Sequence, residues 1–447
     1  MVFVYSREKE ITPEVVNDFI KEHQAIVPRY EELAKLYKSQ APILEQEDKD
    51  EYKPDNRIVV NFAKYAVDTF NGFFIGIPIK IQHEDEEVTQ MVNDFINRQN
   101  LDDVIAEASK MSSIYGNAFV YTFQNEESET CVVHNSPLDM FVVYDDTISR
   151  TPLFAVRYYL DEEETIVGQL FTETYQLQFR ADGESLAFET EEAHYFGVVP
   201  VIEFIENEER QSLIEPIETL INAYDKAISE KANDVDYFAD AYLSIIGADI
   251  GDGMNSIRDN RIINLFSTNG EIDATKIKIE FLDKPDGDTS QENLLNRIER
   301  LIYQTSMITN INDESFGNAS GVALKMKLQP MTNLAIMKER KFTKGLSQLF
   351  KLFFALPTNI PPAKKDEWAG LKYTFTRNIP ENIADEASTA VQLQGIVSKE
   401  TQLSTLSFVD NAAEEIKRME AEKEQESSDD YPTDENGDFV INSESGE

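Results

Sequence analysis

Residues 213–242 read LIEPIETLINAYDKAISEKANDVDYFADAY, the most regular pattern in the chain. Apolar side chains recur there at steps of three and four, with one seven-residue interval: Ile214, Ile217, Ile221, Tyr224, Ile228, Val235, Phe238 and Tyr242. This spacing predicts a helix of about eight turns with one apolar stripe. Acidic side chains are expected on its other faces: Glu215, Glu218, Asp225, Glu230, Asp234 and Asp236. A long helix with so narrow a stripe is expected to pack against neighbouring helices.

A second striped helix is predicted at residues 289–309. Thr289 followed three residues later by Glu292 forms a capping box, which marks a helix start. Its stripe consists of Leu294, Leu295, Ile298, Leu301, Ile302 and Ile308. Between the two helices, residues 243–288 predict a compact mixed module, with strands at 243–246 and 262–266 separated by turns rich in glycine.

The chain before residue 213 predicts helices followed by a sheet. Residues 1–56 are polar and are expected to be helical, with Thr12 capping a helix whose first turn holds Pro13. Dense apolar spacing over 57–75 predicts a buried helix that ends at Gly76.

Two short helices are predicted at about 86–99 and 101–114. From Ala118 to about Phe204, short runs rich in β-branched and aromatic residues alternate with turns, which predicts an antiparallel sheet. The fold class is therefore α+β, and residues 1–212 form its first domain.

A polar loop of small residues at 310–321 precedes a third long helix. This helix is expected at about 322–355, and Pro330 should kink it. It is locally basic in a chain that is otherwise acidic: Lys325, Lys327, Lys338, Arg340, Lys341, Lys344 and Lys351.

The remainder of the chain predicts a short return to a strand and then helices. The strand is expected at 368–376, and it closes the segment 322–395. Helices are expected at about 381–396 and 399–407, and a charged helix begins at Asn411. Residues 427–447 form an acidic tail whose composition is typical of disorder.

Composition restricts the class of protein. Lys and Arg number 41 against 83 Asp and Glu, so the formal net charge of −42 argues against tight binding of nucleic acid, which needs cations that displace counterions from phosphates. No apolar run is long enough for a membrane span, and no signal peptide is recognisable, so no membrane partner is expected. A single cysteine, Cys131, excludes an internal disulfide and fits a reducing cytoplasm.

No catalytic motif, metal site or cofactor is expected. The phosphate-binding pattern G-x-x-x-x-G-K-[ST] is absent, the four histidines are scattered, and one cysteine cannot build a zinc cluster. Asp249 to Gly253 begins like a calcium loop, but the third position is glycine and the twelfth is Asn260. With 83 acids in the chain, a pair of carboxylates carries no information about hydrolysis.

The order of these parts resembles the portal proteins of tailed bacteriophages, particularly long-tailed siphoviruses. Five stretches carry the likeness: residues 58–78, ending Phe-Ile-Gly-Ile-Pro; 220–242; Ser315-Phe316-Gly317; Ser320 to Lys325; and Ser398 to Thr401. Each motif is weak by itself, and their order makes the match specific. The resemblance spans most of the chain beyond residue 56.

The resemblance implies a ring at the vertex of the virion, usually of twelve subunits in the family, assembled in the bacterial cytoplasm. Residues 1–212 would be the outer wing, 213–242 and 289–309 the stem helices, 243–288 the clip, and 396–426 the crown. The ring would conduct double-stranded DNA without sequence specificity. Its partners would be the terminase large subunit, head–tail connector proteins, and the major capsid and scaffold proteins.

Candidate site residues follow from these roles. The tunnel loop nearest the DNA would be 310–321, with Asn310, Asn312, Asp313, Glu314, Ser315, Phe316, Gly317, Asn318 and Ser320. Basic residues that face the channel or neutralise acids across a subunit interface would be Lys325, Lys327, Lys338, Arg340, Lys341 and Lys344. Clip residues that contact terminase or connectors would be Arg258, Arg261, Lys276 and Lys278.

Two other functions compete with this one. The first is an acidic intracellular hydrolase whose pair of catalytic carboxylates has no recognisable place in the sequence. The second is a scaffold protein of the capsid that is not a portal.

A conduit must let DNA slide, so acidic faces on the stem helices suit it better than strong contacts with phosphates do.

Overall fold

A computed structural model of the chain describes residues 2–50, 53–182, 185–238, 243–246, 262–265, 277–281, 288–311, 321–379, 383–406, 409 and 412–428. The chain divides into two compact units. One comprises residues 1–313 and 327–378, and the other comprises residues 314–326 and 379–447. The predicted tail 427–447 lies outside the described residues, apart from residues 427–428, the last two of a helix.

Helices and strands are largely segregated along the first unit. Its helices are α1 (Pro13–Gln24), α2 (Val27–Tyr37), α3 (Phe62–Ile75), α4 (Glu86–Gln99), α5 (Leu101–Tyr115), α6 (Glu218–Phe238), α7 (Asp288–Ser306) and most of α8 (Gly321–Ala355). Its strands are β1 (Phe3–Tyr5), β2 (Lys80–Gln82), β3 (Asn117–Gln124), β4 (Thr130–Asn135), β5 (Met140–Asp145), β6 (Pro152–Leu160), β7 (Ile166–Phe171), β8 (Tyr175–Asp182), β9 (Ser185–Ala193), β10 (Val201–Ile205), β11 (Leu243–Ile246), β12 (Ile262–Leu265), β13 (Lys278–Phe281) and β14 (Lys372–Thr374). The predicted α+β class is confirmed.

The strands between residues 117 and 205, together with β1, form two sheets. Six strands pair in the order β1-β5-β6-β7-β8-β9, and three pair in the order β10-β3-β4. Strand β5 shows how the layers meet, because successive side chains of a strand point to opposite faces. Phe141 and Val143 pack with α1 in one core, whereas Met140 and Val142 pack toward the three-stranded sheet in another.

The prediction that residues 1–56 are helical is wrong at the amino terminus. Phe3–Tyr5 forms β1, which pairs in parallel with β5, Phe3 opposite Val143. The sheet is therefore not purely antiparallel. The apolar side chain of Phe3 is 5% exposed, so its burial in the core holds this strand in place. A strand of three residues is too short to show an alternating pattern in the sequence.

Several predicted helix boundaries are confirmed. The side chain of Thr12 accepts the backbone N–H of Val15, and Pro13 is the first residue of α1. Helices α4 and α5 match their predicted ranges, and α5 ends at Gly116, whose φ of +98° suits glycine.

Two other predicted boundaries differ. Helix α3 begins at Phe62 rather than near residue 57, because residues 56–60 bond to another helix. The predicted strand 368–376 is shorter, since Glu367–Gly370 is a 3-10 turn and only Lys372–Thr374 pairs, with β2.

Pro330 lies inside α8, which the structure describes as one helix across that position. Within the second unit, the described helices are α9 (Ile383–Leu393), α10 (Lys399–Leu403) and α11 (Ala412–Ser428). Ser398 caps α10 by accepting the backbone N–H of Thr401, and the side chain of Gln402 donates to the carbonyl of Ala390 at 2.7 Å.

Candidate functional site

Helices α6 and α7 lie side by side and run antiparallel. Lys231 of α6 forms an ion pair with Glu292 at the start of α7. At the other end of the pair, the rings of Tyr224 and Tyr303 both contact Phe62, with centroids 5.0 and 5.9 Å away. The two helices that the sequence analysis singled out are therefore neighbours in the folded chain.

The apolar stripe of α6 is buried only in part. Ile217 and Ile221 are 0% and 2% exposed, whereas Val235 is 56% exposed. On α7, Ile298 and Ile302 are buried, but Leu294 is 52% exposed. The ends of both helices nearest the small module 243–288 therefore carry exposed apolar side chains.

A row of polar side chains on α6 binds an extended segment of the chain, residues 56–60. The Oδ1 atoms of Asn233 and Asp225 accept the backbone N–H groups of Asn56 and Val60, at 2.6 and 2.9 Å. Between them, Ser229 Oγ accepts the N–H of Ile58 at 2.9 Å. The spacing fits because two extended residues span about the length of four helical residues.

We call this arrangement the polar ladder, comprising residues 56–60 with Asp225, Ser229 and Asn233. Its helical members are 1%, 2% and 6% exposed. The expectation that Asp225 lies on an outer face of the helix is therefore wrong. Asp225, Ser229 and Asn233 follow one another at steps of four residues. This spacing is the signal in the sequence that indicates a buried polar face.

Burial controls the ionisation of Asp225. Desolvation raises its pKa to about 6, and the hydrogen bond from Val60 opposes this in part. The second carboxylate oxygen is buried without a hydrogen-bond partner among the described residues. A carboxyl group that is protonated in part near neutrality therefore lies at one end of the polar ladder.

The small module contributes a three-stranded sheet in the order β12-β11-β13. The strands predicted at 243–246 and 262–266 are confirmed over 243–246 and 262–265, residue 266 lies outside the described residues, and β13 is additional. Of the four candidate clip cations, Lys278 lies on β13, exposed and paired in register with Ile246. Arg258, Arg261 and Lys276 lie outside the described residues.

Most of the predicted tunnel loop also lies outside the described residues. Asn310 belongs to the described part and directly follows Thr309, whose hydroxyl donates to the carbonyl of Lys327 on α8 at 3.1 Å. The other candidates are outside it: Asn312, Asp313, Glu314, Ser315, Phe316, Gly317, Asn318 and Ser320.

Lys338 does not belong among basic residues that face a channel or another subunit. Its side chain is 1% exposed, and its ammonium group lies 2.7 Å from Glu206. It also donates to the carbonyl of Ser109 and the hydroxyl of Ser113. Desolvation lowers the pKa of Lys338, while the charge of Glu206 opposes that shift. The assignment made from charge alone is wrong here, because the helix turns this cation into the protein core.

The other basic residues of α8 lie nearer the surface. Lys325, Arg340 and Lys344 are exposed, and Lys327 is half-buried. Lys341 forms an ion pair with Glu208.

Lys341 and Lys344 line one cavity together with Arg150 and Arg210. The two arginines lie in loops far apart in the sequence, and no local pattern indicates their meeting.

Two further features are absent from the part of the chain that the structure describes. Among the helices in the described part of the chain, none is both long and apolar enough to cross a membrane. In the same residues, no group of three or more His, Cys, Asp or Glu side chains is arranged to hold a metal ion.

Comparison with known proteins gives consistent relatives. A portal protein of Bacillus phage SPP1 is 28% identical over 403 residues, which cover 84% of this chain and 78% of that protein. A portal protein of Clostridium phage phiCD119 is 24% identical over 412 residues, covering 84% and 88%. A chain in the solved neck of an empty GTA particle has a TM-score of 0.48 at 11% identity, covering 77% of this chain and 89% of that one, which is too low a score to argue from.

A family model described as phage portal protein, SPP1 Gp6-like, matches residues 17–429. The match begins within α1 and extends beyond α11, so it includes the helix pair, the small sheet and the basic helix. The chain therefore belongs to the SPP1 Gp6-like family of phage portal proteins.

Proposed function

We propose that this chain forms a dodecameric ring at the portal vertex of the virion, after assembly in the host cytoplasm. The ring is the conduit for double-stranded DNA during packaging and ejection. It is also the platform on which the terminase large subunit and then the head–tail connectors dock, next to the major capsid and scaffold proteins. Its role is structural, and a partner supplies the energy for DNA movement.

The observation that carries the ring is the incomplete burial of the antiparallel helix pair. Val235 on α6 and Leu294 on α7 are more than half exposed, although both belong to apolar stripes. In a ring, the same pair from the neighbouring subunit covers them. Residues 213–242 and 289–309 then form the stem, 243–288 the clip, 1–212 the wing, and 322–395 the long helix with its return to the wing.

The charges of the stem suit a conduit. The part of α6 beyond Asp225 carries Glu230, Asp234 and Asp236 against Lys226 and Lys231. An acidic lining repels phosphates and lets the duplex slide, because each neutralised phosphate adds to affinity. The loop 310–321 approaches the DNA, the segment 396–426 forms the crown, and exposed Lys278 contributes to the docking surface of the clip.

Electron microscopy of negatively stained protein tests the ring. The wild-type chain should give rings with a central hole, and the double variant Val235→Lys with Leu294→Lys should give smaller species. Leu160→Lys is the matched control, since Leu160 is 63% exposed on β6 of the wing and should leave rings intact. Compact monomers of the wild-type chain would refute the proposal.

Packaging and terminase assays test the two DNA-related surfaces. Deletion of residues 312–319 should preserve rings but reduce the DNA packaged in an in vitro reaction. Reversal of charge at Arg258, Arg261, Lys276 and Lys278 should weaken stimulation of the terminase ATPase and leave rings unchanged. Normal packaging by the deletion variant, or normal terminase stimulation by the reversal variant, would remove the corresponding assignment.

A further inference from the structure

A cavity of about 410 Å³ lies between helix α8 and two loops of the wing, one after β5 and one after β10. Its charged lining residues are unusual for so acidic a chain. Four are cationic, namely Arg150, Arg210, Lys341 and Lys344, and two are anionic, namely Glu203 and Glu208. The cavity therefore has a formal surplus of two positive charges, whereas the whole chain carries −42.

Both arginines of this cavity adopt a left-handed backbone conformation, with φ of 45° at Arg150 and 55° at Arg210. Such a conformation costs a non-glycine residue about 1–3 kcal/mol and concentrates at functional sites. At Arg150 the loop is held by Asp145, whose Oδ1 accepts the N–H groups of Thr147 and Thr151 at 3.2 and 3.0 Å. The fold thus holds a large cationic residue where glycine would fit at lower cost.

Two of the four cations are already neutralised within the chain. Arg210 donates Nε and one terminal nitrogen to the two carboxylate oxygens of Glu203, at 2.7 and 2.6 Å. Burial alone would raise the pKa of Glu203, but hydrogen bonds from Arg210, Tyr144 and Asn117 outweigh it and hold that pKa low. Arg210 and Glu203 therefore form a rigid ionised wall of the cavity.

Lys341 is the second neutralised cation, because it pairs with Glu208, whose side chain is 73% exposed at the rim. Arg150 and Lys344 have no ion pair with a residue in the described part of the chain. Lys344 lies one helical turn further along α8 and is exposed. Arg150, in the loop after β5, lines the same cavity. Arg150 and Lys344 therefore account for the surplus charge of the cavity.

We infer that this cavity receives an acidic side chain from a second copy of the chain, at a subunit contact within the ring. The inference rests on the ring proposed above. A carboxylate balances Arg150 and Lys344, and electrostatic complementarity of this kind sets register and orientation between subunits. With 83 acidic residues, each neighbouring copy presents many such groups.

Duplex DNA fits the cavity less well than a protein segment does. A phosphate backbone needs cations that carboxylates do not oppose, yet Glu203 forms part of the wall and Glu208 stands at the rim. A cavity of about 410 Å³ also admits a few side chains, whereas a stiff duplex would rest on its edge.

Cross-linking of assembled rings with a zero-length carbodiimide tests the contact, because this reagent joins a carboxylate to a lysine amine that touches it. We expect covalent dimers in which mass spectrometry finds Lys344 joined to an acidic peptide. Rings mixed from isotopically labelled and unlabelled chains show that the link is between copies. Lys344→Arg keeps the charge but has no amine to couple, so its rings should form normally and lack this link.

Charge reversal gives an independent measurement. Arg150→Glu with Lys344→Glu should weaken ring assembly by about tenfold or more, since like charges face each other across the contact. Lys21→Glu with Lys38→Glu makes the same net change at exposed sites, one on α1 and one directly after α2, and should have little effect.

Three outcomes overturn the inference, and they differ in what else they remove. Wild-type chains that form no rings refute the ring and the contact together. Rings without an inter-chain link at Lys344 refute the contact alone. Rings without that link whose affinity for duplex DNA falls in the Arg150→Glu, Lys344→Glu variant assign the cavity to DNA instead.

Discussion

The ammonium nitrogen of Lys338 lies 2.7 Å from a carboxylate oxygen of Glu206, with 1% and 2% of the two side chains exposed. This pair joins the basic helix α8 to the chain that leaves β10. The same ammonium lies between 5.2 and 5.3 Å from the ring centres of Phe70, Phe74 and Phe342, so aromatic faces as well as a carboxylate surround it. A charge thus anchors α8 inside the wing.

Breaking this pair should destabilise the protein strongly. Lys338→Met leaves the carboxylate of Glu206 buried without its partner, which costs about 3–5 kcal/mol of unfolding free energy. Urea unfolding followed by the fluorescence of Trp368, the single tryptophan, measures the change.

The control for that variant is an exposed pair. Lys64 and Asp68 form an ion pair with 55% and 42% of their side chains exposed, and Lys64→Met should cost less than about 1 kcal/mol. The double variant Lys338→Met with Glu206→Gln should recover part of the loss, because no buried charge is left. Equal, small losses for Lys338→Met and Lys64→Met would contradict the prediction.

The polar ladder should make stability depend on pH through Asp225. Its pKa is about 6 in the folded chain against 3.8 when solvated, so folding favours the protonated form. That stability is fully present below pH 3.8 and is lost as the pH rises through about 6, a change of up to about 3 kcal/mol.

Asp225→Asn removes this titration and retains an oxygen that accepts the N–H of Val60. The variant should be more stable than wild type at pH 7.5, and the difference should shrink as the pH falls to 4. The unfolding free energies of both proteins, measured between pH 4 and pH 7.5, give this difference in stability. The contributions of other titrating groups are the same in both proteins and cancel. A difference that does not vary with pH would show that Asp225 does not titrate in this window.

Loss of one hydrogen bond of the polar ladder should let residues 56–60 detach locally from α6. Ser229→Ala deprives the buried N–H of Ile58 of its acceptor, at a cost of about 1–3 kcal/mol. Amide hydrogen exchange at residues 56–60 should accelerate by about tenfold or more, because their opening free energy falls. Lys226→Ala, at an exposed site of the same helix, should leave exchange unchanged.

Close packing of α8 on the wing sheet should require glycine at position 345. A Cβ atom there would lie 2.6 Å from the ring of Phe204, which is 0% exposed and cannot move aside cheaply. Gly345→Ala should therefore lower stability by about 1–3 kcal/mol despite its better helix propensity. The melting temperature of the variant measures this.

Gly72 provides the comparison. It lies within helix α3, and a Cβ at this position meets nothing within 4 Å. Gly72→Ala should be neutral or stabilise by up to about 1 kcal/mol. If Gly345→Ala behaves as Gly72→Ala does, the contact between α8 and β10 is looser than described.

Periodicity and turn residues were sufficient to predict the main elements. Thr12 and Pro13 place the start of α1, and Gly116 places the end of α5, because capping depends on residues that are adjacent in sequence. The apolar stripe of α6 also predicted that this helix packs against neighbouring helices, since an apolar face is buried in the fold.

The interior positions of charged residues were not predictable in the same way. Asp225 and Lys338 each look like solvent-facing residues in the sequence, because pattern analysis treats every charge as exposed. Their burial depends on Val60 and Glu206, which lie far away along the chain. That Arg150 and Lys344 line one cavity was also not predictable from the sequence, since only tertiary folding brings them to the same place.

The parallel pairing of β1 with β5 has a consequence for synthesis on the ribosome. Phe3 is translated before its partner strand around Val143, and all of α1 to α5 lies between them in the sequence. The strand β1 cannot pair with the β5 edge of the six-stranded sheet until β5 has been made. A bulky group attached next to β1 would therefore compete with this late pairing step of wing folding.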